Sequence, residues 1–218
     1  MALLLLDLDN TIADRDAAFR HWMDAKLTTW APEDDGDDRR RLLEWDADGV
    51  RPRHDFLARV RNRYGLDETV EELLAEYRRL TLEGFPPIPA DVRRQIERLR
   101  GEGWSVAVVT NGEDGVQQAT VEAVGLARLV DACVVSGAVG VRKPDPRIFS
   151  LAAERCHESL DGAWMVGDGE ADVEGASRAG LDSVWLDRGR TWTRTDVVPS
   201  VVAPDLHSAL VHVGAVSP

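Results

Sequence analysis

Two hydrophobic patterns divide this chain. Ala2-Leu3-Leu4-Leu5-Leu6 is a short, unbroken apolar run, the pattern of a strand buried on both faces. Between Ala13 and Phe85 the apolar residues fall at helical spacing instead: Phe19, Trp22, Met23, Leu27 and Trp30, then Val70, Leu73, Leu74, Tyr77 and Leu80. Shorter helices are expected around Arg39–Trp45 and Asp55–Tyr64, so this segment reads as about four helices with no strand. Pro86-Pro87-Ile88-Pro89 cannot continue a helix and reads as a stiff linker.

From Val106 onward, apolar runs alternate with amphipathic stretches. Val106–Val109, Ala132–Val135, Ala163–Val166 and Ser183–Leu186 read as strands. Helices are predicted over Asp114–Val124, Pro146–Cys156 and Glu170–Ala179. Asp145 is the expected N-cap of the second, with Pro146 at its first position, and Gly180 closes the third. The alternation predicts βαβ units and a doubly wound α/β core with a parallel, Rossmann-like sheet. The core is expected to span 1–12 and 86–218, with an all-helical insert over 13–85.

Composition narrows the partners. The 218 residues can bury one core with room for a smaller unit, and the net charge of -13 argues against nucleic-acid polymers and anionic membranes. Cys133 and Cys156 form neither a metal spacing nor a disulfide framework and are expected reduced, in keeping with a cytoplasmic location. The opening apolar run is too short for a signal peptide or a membrane span, and no other stretch approaches spanning length. The acidic run Glu33-Asp34-Asp35-Gly36-Asp37-Asp38 lacks the spacing of a calcium loop and is expected to be a solvated loop. Of the 26 basic residues only Lys26 and Lys143 are lysine. A lysine here is thus a specific choice rather than a generic surface charge.

Ligands of open parallel sheets bind beyond the C-terminal strand ends, and four strand ends carry candidate chemistry. The first delivers Asp7-Leu8-Asp9-Asn10-Thr11. Continued strand alternation would project Asp7 and Asp9 together, an arrangement that calls for a divalent cation between them. The second delivers Thr110-Asn111-Gly112, a hydroxyl and a turn whose N–H groups can cradle a phosphate. The third region places Lys143 between rigid neighbours in Arg142-Lys143-Pro144-Asp145-Pro146. The fourth delivers Gly167-Asp168-Gly169-Glu170-Ala171-Asp172, where Asp168 suits metal ligation and Asp172 can either cap a helix or face back toward it.

In this order the four motifs resemble the haloacid dehalogenase superfamily. Asp7 to Thr11 looks like its first motif, Thr110 its second, Lys143 its third, and Asp168 with Asp172 its fourth. The helical insert looks like the cap that follows the first motif. The resemblance implies a Mg²⁺-dependent phosphomonoester hydrolase acting on a small phosphorylated metabolite. Asp7 would be the nucleophile that forms an aspartyl-phosphate, and Asp9 the general acid and then base. Mg²⁺ would be held by the Asp7 carboxylate, the Asp9 backbone carbonyl and Asp168, with Asp172 direct or through water. Thr110, Asn111 and Lys143 would hold the phosphoryl group. The chemistry requires Asp7 to stay ionised against the cation.

Other activities use the same scaffold. Dehalogenases of the superfamily lack the second aspartate of the first motif, so Asp9 counts against that reading. It also counts against phosphonate cleavage through a Schiff base on Lys26. A phosphomutase would share the aspartyl-phosphate, and a non-catalytic binding module would be expected to have lost a chemical residue. Arg15, Arg20, His21 and Trp22 are candidate cap contacts, although Trp22 lies on an apolar stripe and is expected in a core. The Arg188-Gly189-Arg190-Thr191-Trp192 stretch reads either as a surface loop or as a rim contact.

Overall fold

A computed structural model describes residues 2–33 and 36–216. Asp34 and Asp35 of the acidic run lie outside the described residues. The chain divides into two compact units, Met1–Ala13 with Pro87–Pro218, and Asp14–Pro86.

The first unit is α/β. Its strands are β1 (Ala2–Leu6), β2 (Trp104–Thr110), β3 (Ala132–Val135), β4 (Trp164–Gly167), β5 (Asp182–Leu186) and β6 (Val201–Ala203). They form one sheet in the order β3-β2-β1-β4-β5-β6, every pairing parallel. The chain builds outward from β1 to β3, then crosses back to place β4 against the other side of β1. This reversal is the topological switch point where open α/β sheets bind ligands.

The helices among the described residues, in chain order, are α1 (Arg15–Trp30), α2 (Asp37–Asp46), α3 (Arg53–Tyr64), α4 (Val70–Gly84), α5 (Ala90–Gly101), α6 (Asp114–Ala123), α7 (Ser136–Val139), α8 (Arg147–Cys156), α9 (Glu170–Ala179) and α10 (Leu206–Ala215). In the α/β unit, Leu3 and Leu5 of β1 join Ala107, Val109, Val134 and Met165 under Ile148, Phe149 and Ala152 of α8 and Ala176 of α9. Leu4 and Leu6 are equally buried and point the opposite way, toward the face where α5 and α10 meet each other, β2 and β4. Burial on both faces is why β1 reads as an unbroken run of leucine.

The sequence pattern finds the strands β1 to β5 and the helices α6, α8 and α9, and passes over α5, α7, β6 and α10. The α8 start differs by one residue: the helix begins at Arg147, with Pro146 already at φ -63°. Asp145 Oδ1 nonetheless accepts from the Arg147 N–H at 3.0 Å, the hydrogen bond that a cap is expected to make. Gly180 ends α9 in the left-handed conformation at φ 75°. Gly175 in α9 faces Phe149, where a Cβ would stand 2.6 Å from the ring.

The second unit consists of α1 to α4. Phe19, Trp22, Phe56 and Tyr77 build an aromatic core, with the Trp22 and Tyr77 rings 5.1 Å apart. Trp22 is therefore core, as its stripe predicts. Thr69 and Glu72 form a reciprocal capping box at the start of α4. Lys26 Nζ meets Glu76 Oε2 at 2.5 Å and lies over the Trp30 ring. No described helix is long and apolar enough to cross a membrane.

Candidate active site

Hydrogen bonding of β1 carries one residue past the strand, because the Asp7 N–H donates to the Val166 carbonyl at 2.9 Å. The backbone then turns. Leu8 O accepts from the N–H groups of Ile12 and Ala13 at 3.0 and 2.9 Å, and Asn10 adopts φ 58°. Strand alternation ends here, so the two aspartates part company. Asp7 points into a buried cluster, whereas Asp9 turns to another partner. The expectation that both carboxylates flank one cation is corrected by this turn. Asp9 can offer its backbone, while Oδ2 of its carboxylate faces Gln117 instead of the cluster.

The Asp7 cluster gathers the first, third and fourth motifs. One carboxylate oxygen each from Asp7, Asp168 and Asp172 lies within 4.8 Å of the others, a group able to hold a metal ion. Lys143 enters from the loop before α8, where its peptide bond to Pro144 is cis. Its ammonium donates to Asp7 Oδ1 at 2.5 Å and Val109 O at 2.7 Å, and stands 2.6 Å from Asp172 Oδ1. The Asp172 contact is an ion pair rather than an aligned hydrogen bond, since Oδ1 makes no bond of good geometry.

Asp172 caps α9 and also turns toward the cluster. Oδ2 accepts from the Gly169 N–H at 3.0 Å at the start of α9, while Oδ1 faces Lys143. Gly167 makes room for it, because a Cβ there would overlap the Asp172 carboxylate.

Burial sets the electrostatics. It pushes the Asp7 carboxyl up to about 8 and outweighs the opposing pull of Lys143, with Asp172 and Asp168 adding repulsion. Burial alone would lower the Lys143 pKa, but Asp172 and Asp7 together raise it above the ordinary lysine value. Burial also raises Asp168 despite a hydrogen bond from Arg188. The cluster therefore carries more carboxylate than its surroundings support, which suits a proton or a divalent cation.

The second motif completes the arrangement. Asn111 braces Lys143: its Nδ2 donates to Lys143 O at 3.0 Å and its Oδ1 accepts from Lys143 N at 2.9 Å. The side chain expected on the phosphoryl group is instead spent on positioning the lysine. Thr110, at the end of β2, is 1% exposed. Its hydroxyl oxygen accepts from Gln117 Nε2 at 2.9 Å, and the same nitrogen reaches Asp9 Oδ2 at 3.0 Å.

Three side chains that meet these motifs were not among the expected site residues. Gln117 is buried with Thr120 and Val121 along one stripe of α6, and a polar residue on that stripe was the available signal. The other two are Arg188 and Arg190, which resolve the ambiguous stretch after β5. Their guanidinium groups reach Asp168 Oδ2 at 2.7 and 3.2 Å. Nothing in the local sequence pairs them with Asp168; only the adjacency of β4 and β5 does.

Comparison with known proteins bears on the family and the fold. The family model described as a haloacid dehalogenase-like hydrolase matches residues 1–180. The phosphoserine phosphatase of Thermus thermophilus is 34% identical over 121 residues, 55% of this chain and 49% of that protein. (S)-2-haloacid dehalogenase 4A of Burkholderia cepacia is 30% identical over 118 residues, 54% of this chain and 48% of that protein. The chain spans about half the length of these two relatives. Among solved structures, the HAD-hydrolase YfnB of Bacillus subtilis covers 97% of each chain with a TM-score of 0.76 at 23% identity, a likeness of fold. Motif order, sheet topology and the match over residues 1–180 lead to one conclusion: the chain belongs to the haloacid dehalogenase-like hydrolases.

Proposed function

We propose that this protein is a Mg²⁺-dependent phosphomonoester hydrolase of a small phosphorylated metabolite, working in the cytoplasm through an aspartyl-phosphate on Asp7. The observation that carries the reading is the approach of Asp7, Asp168 and Asp172 within 4.8 Å beside the Lys143 ammonium. Three hard carboxylate oxygens fit Mg²⁺, and Asp172 Oδ1 is a buried acceptor without an aligned donor. The Asp7, Asp168 and Asp172 carboxylates and the Asp9 backbone carbonyl would hold the ion. When bound, it supplies positive charge that keeps Asp7 ionised and neutralises phosphoryl oxygens.

The side chains then divide the reaction. Lys143 and the Thr110 hydroxyl hold phosphoryl oxygens and orient the phosphorus toward Asp7. An Asp7 oxygen attacks phosphorus, the bond to the leaving oxygen breaks, and Asp9 gives that oxygen a proton. Asp9 then takes a proton from water. The water oxygen attacks the same phosphorus, inorganic phosphate leaves, and Asp7 is restored. We read the helical unit as the family's cap on the ground of its insertion point, directly after the first motif.

Similarity to a haloacid dehalogenase favours a second reading, and Asp9 opposes it, since halide departure needs no proton donor. Hydrolysis of p-nitrophenyl phosphate with Mg²⁺ separates the two. Asp7→Asn is expected to lower kcat by roughly four orders of magnitude, and Lys143→Ala to impair KM and kcat together. Substantial turnover by Asp7→Asn contradicts the mechanism. Chloride release from 2-chloropropionate in EDTA would establish the dehalogenase instead.

A further inference from the structure

We infer that Gln117 is the positioning residue of the leaving-group side, setting the orientation of both Asp9 and Thr110; this inference rests on the phosphatase reading above. Gln117 is 4% exposed on the second turn of α6. Its amide nitrogen lies 3.0 Å from Asp9 Oδ2, 2.9 Å from Thr110 Oγ1 and 3.4 Å from Asn111 O. The chemistry of these partners fixes which end of the amide faces them. A backbone carbonyl only accepts, and so does an ionised carboxylate, so the NH₂ end must point inward.

Two consequences follow from that polarity. A hydroxyl has a single proton, and Thr110 receives a hydrogen bond at its oxygen. Its own proton is therefore left to donate, and a phosphoryl oxygen is the acceptor the mechanism supplies. Asp9 has two oxygens, and Gln117 holds Oδ2. The other oxygen is left for the proton that passes to the leaving group and later comes from water. One amide thus divides the labour of two reacting side chains that come from different strand ends. Gly112 belongs to the same device: a Cβ there would stand 2.8 Å from the Gln117 side chain and crowd it out of place.

A general acid matters most when the leaving oxygen is basic. p-Nitrophenolate departs with little help, whereas phenolate departs poorly unprotonated. The experiment measures kcat/KM with Mg²⁺ over a series of substituted phenyl phosphates, from p-nitrophenyl to unsubstituted phenyl, for wild type and Gln117→Met. Gln117→Met keeps the length and loses the donor. The expected result is a steeper dependence on leaving-group basicity. The loss on phenyl phosphate should exceed that on p-nitrophenyl phosphate by about tenfold or more, with the melting temperature little changed.

Gln117→Leu serves as the second donor-free variant. It keeps a comparable volume without an amide and adds no charge beside Asp9, so it should show the same steepening if Gln117→Met folds poorly. Equal losses across the series in a folded variant, or no loss, overturn the inference and leave the phosphatase reading standing. A wild-type protein inert on every member with Mg²⁺ overturns the phosphatase reading, and the inference falls with it.

Discussion

In the reaction proposed above, Asp7 has to act as an anion in a place that resists anions. Burial holds its carboxyl up to about 8 even with Lys143 at 2.5 Å. Near neutral pH the metal-free site thus retains a proton that the attacking form cannot keep. A divalent cation binding to this cluster must displace it. Calorimetry of Mg²⁺ binding in two buffers of different protonation enthalpy should report proton release at about pH 7 and little at about pH 9. Binding without proton release would refute this account of the site. The same shift has a stability sign. The folded protein holds the proton up to about 8, while the unfolded carboxyl releases it near 3.8. Stability from this group is therefore present at low pH and declines as pH rises through that window. Without metal, Asp7→Asn should melt several degrees above wild type at about pH 8, and the difference should shrink toward pH 4. At this scale much was legible. Asp7, Lys143, Asp168 and Asp172 meet because each ends or follows a recognisable strand, and the rarity of lysine singled out Lys143. Gln117 was not legible as a partner of Asp9, because the two lie 108 residues apart and meet only through tertiary folding.

Elements are joined by charges as well as by apolar faces. Asp46, the last residue of α2, is 2% exposed. Its Oδ1 receives Arg15, the first residue of α1, and Arg53, the first residue of α3, each at 2.6 Å. Burial alone would raise the Asp46 carboxyl, but the Arg15 hydrogen bond and the Arg53 charge hold it below its ordinary value. Its stabilising contribution is accordingly complete above about pH 4 and is lost as pH falls through the lowered value. Asp46→Ala removes the acid shared by two guanidinium groups, of which Arg53 keeps Tyr77 Oη and Arg51 O as acceptors, and a buried pair broken this way costs about 3 kcal/mol. Urea unfolding should show a corresponding fall in midpoint, and a loss under about 1 kcal/mol would mean that the pairs behave as surface ones. Sequence periodicity resolved α1, α3 and α4 because each carries an apolar stripe, whereas α2 shows only Leu42 and the Asp46 acid buried. It missed α10 and β6 for opposite reasons. Leu206–Ala215 mixes apolar and small residues without a sharp stripe, and Val201–Ala203 has three residues, too few for an alternation to declare itself. The Asp46 ties were invisible because periodicity records faces, not which charge meets which.

Over the whole molecule the field is negative, with a net charge of -13, yet the strand ends of the α/β unit concentrate Lys143, Arg188 and Arg190 around three aspartates. That contrast sets how salt acts. A negative protein attracts a divalent cation from a distance and repels a dianionic phosphate ester, and both long-range effects fade as the Debye length shortens from about 30 Å at 0.01 M to about 8 Å at 0.15 M. Within hydrogen-bond range, the contacts among Asp7, Lys143 and Asp172 are buried and barely screened. Mg²⁺ affinity should therefore weaken with added potassium chloride over this range, by several-fold rather than by orders of magnitude. With Mg²⁺ held saturating, kcat/KM for p-nitrophenyl phosphate should rise over the same interval, because the distant repulsion is relieved while Lys143 and Thr110 keep their grip. The two titrations must move in opposite directions. If both quantities fell together, the local cations would dominate the approach of substrate, and the net charge read from the sequence would have no bearing on catalysis.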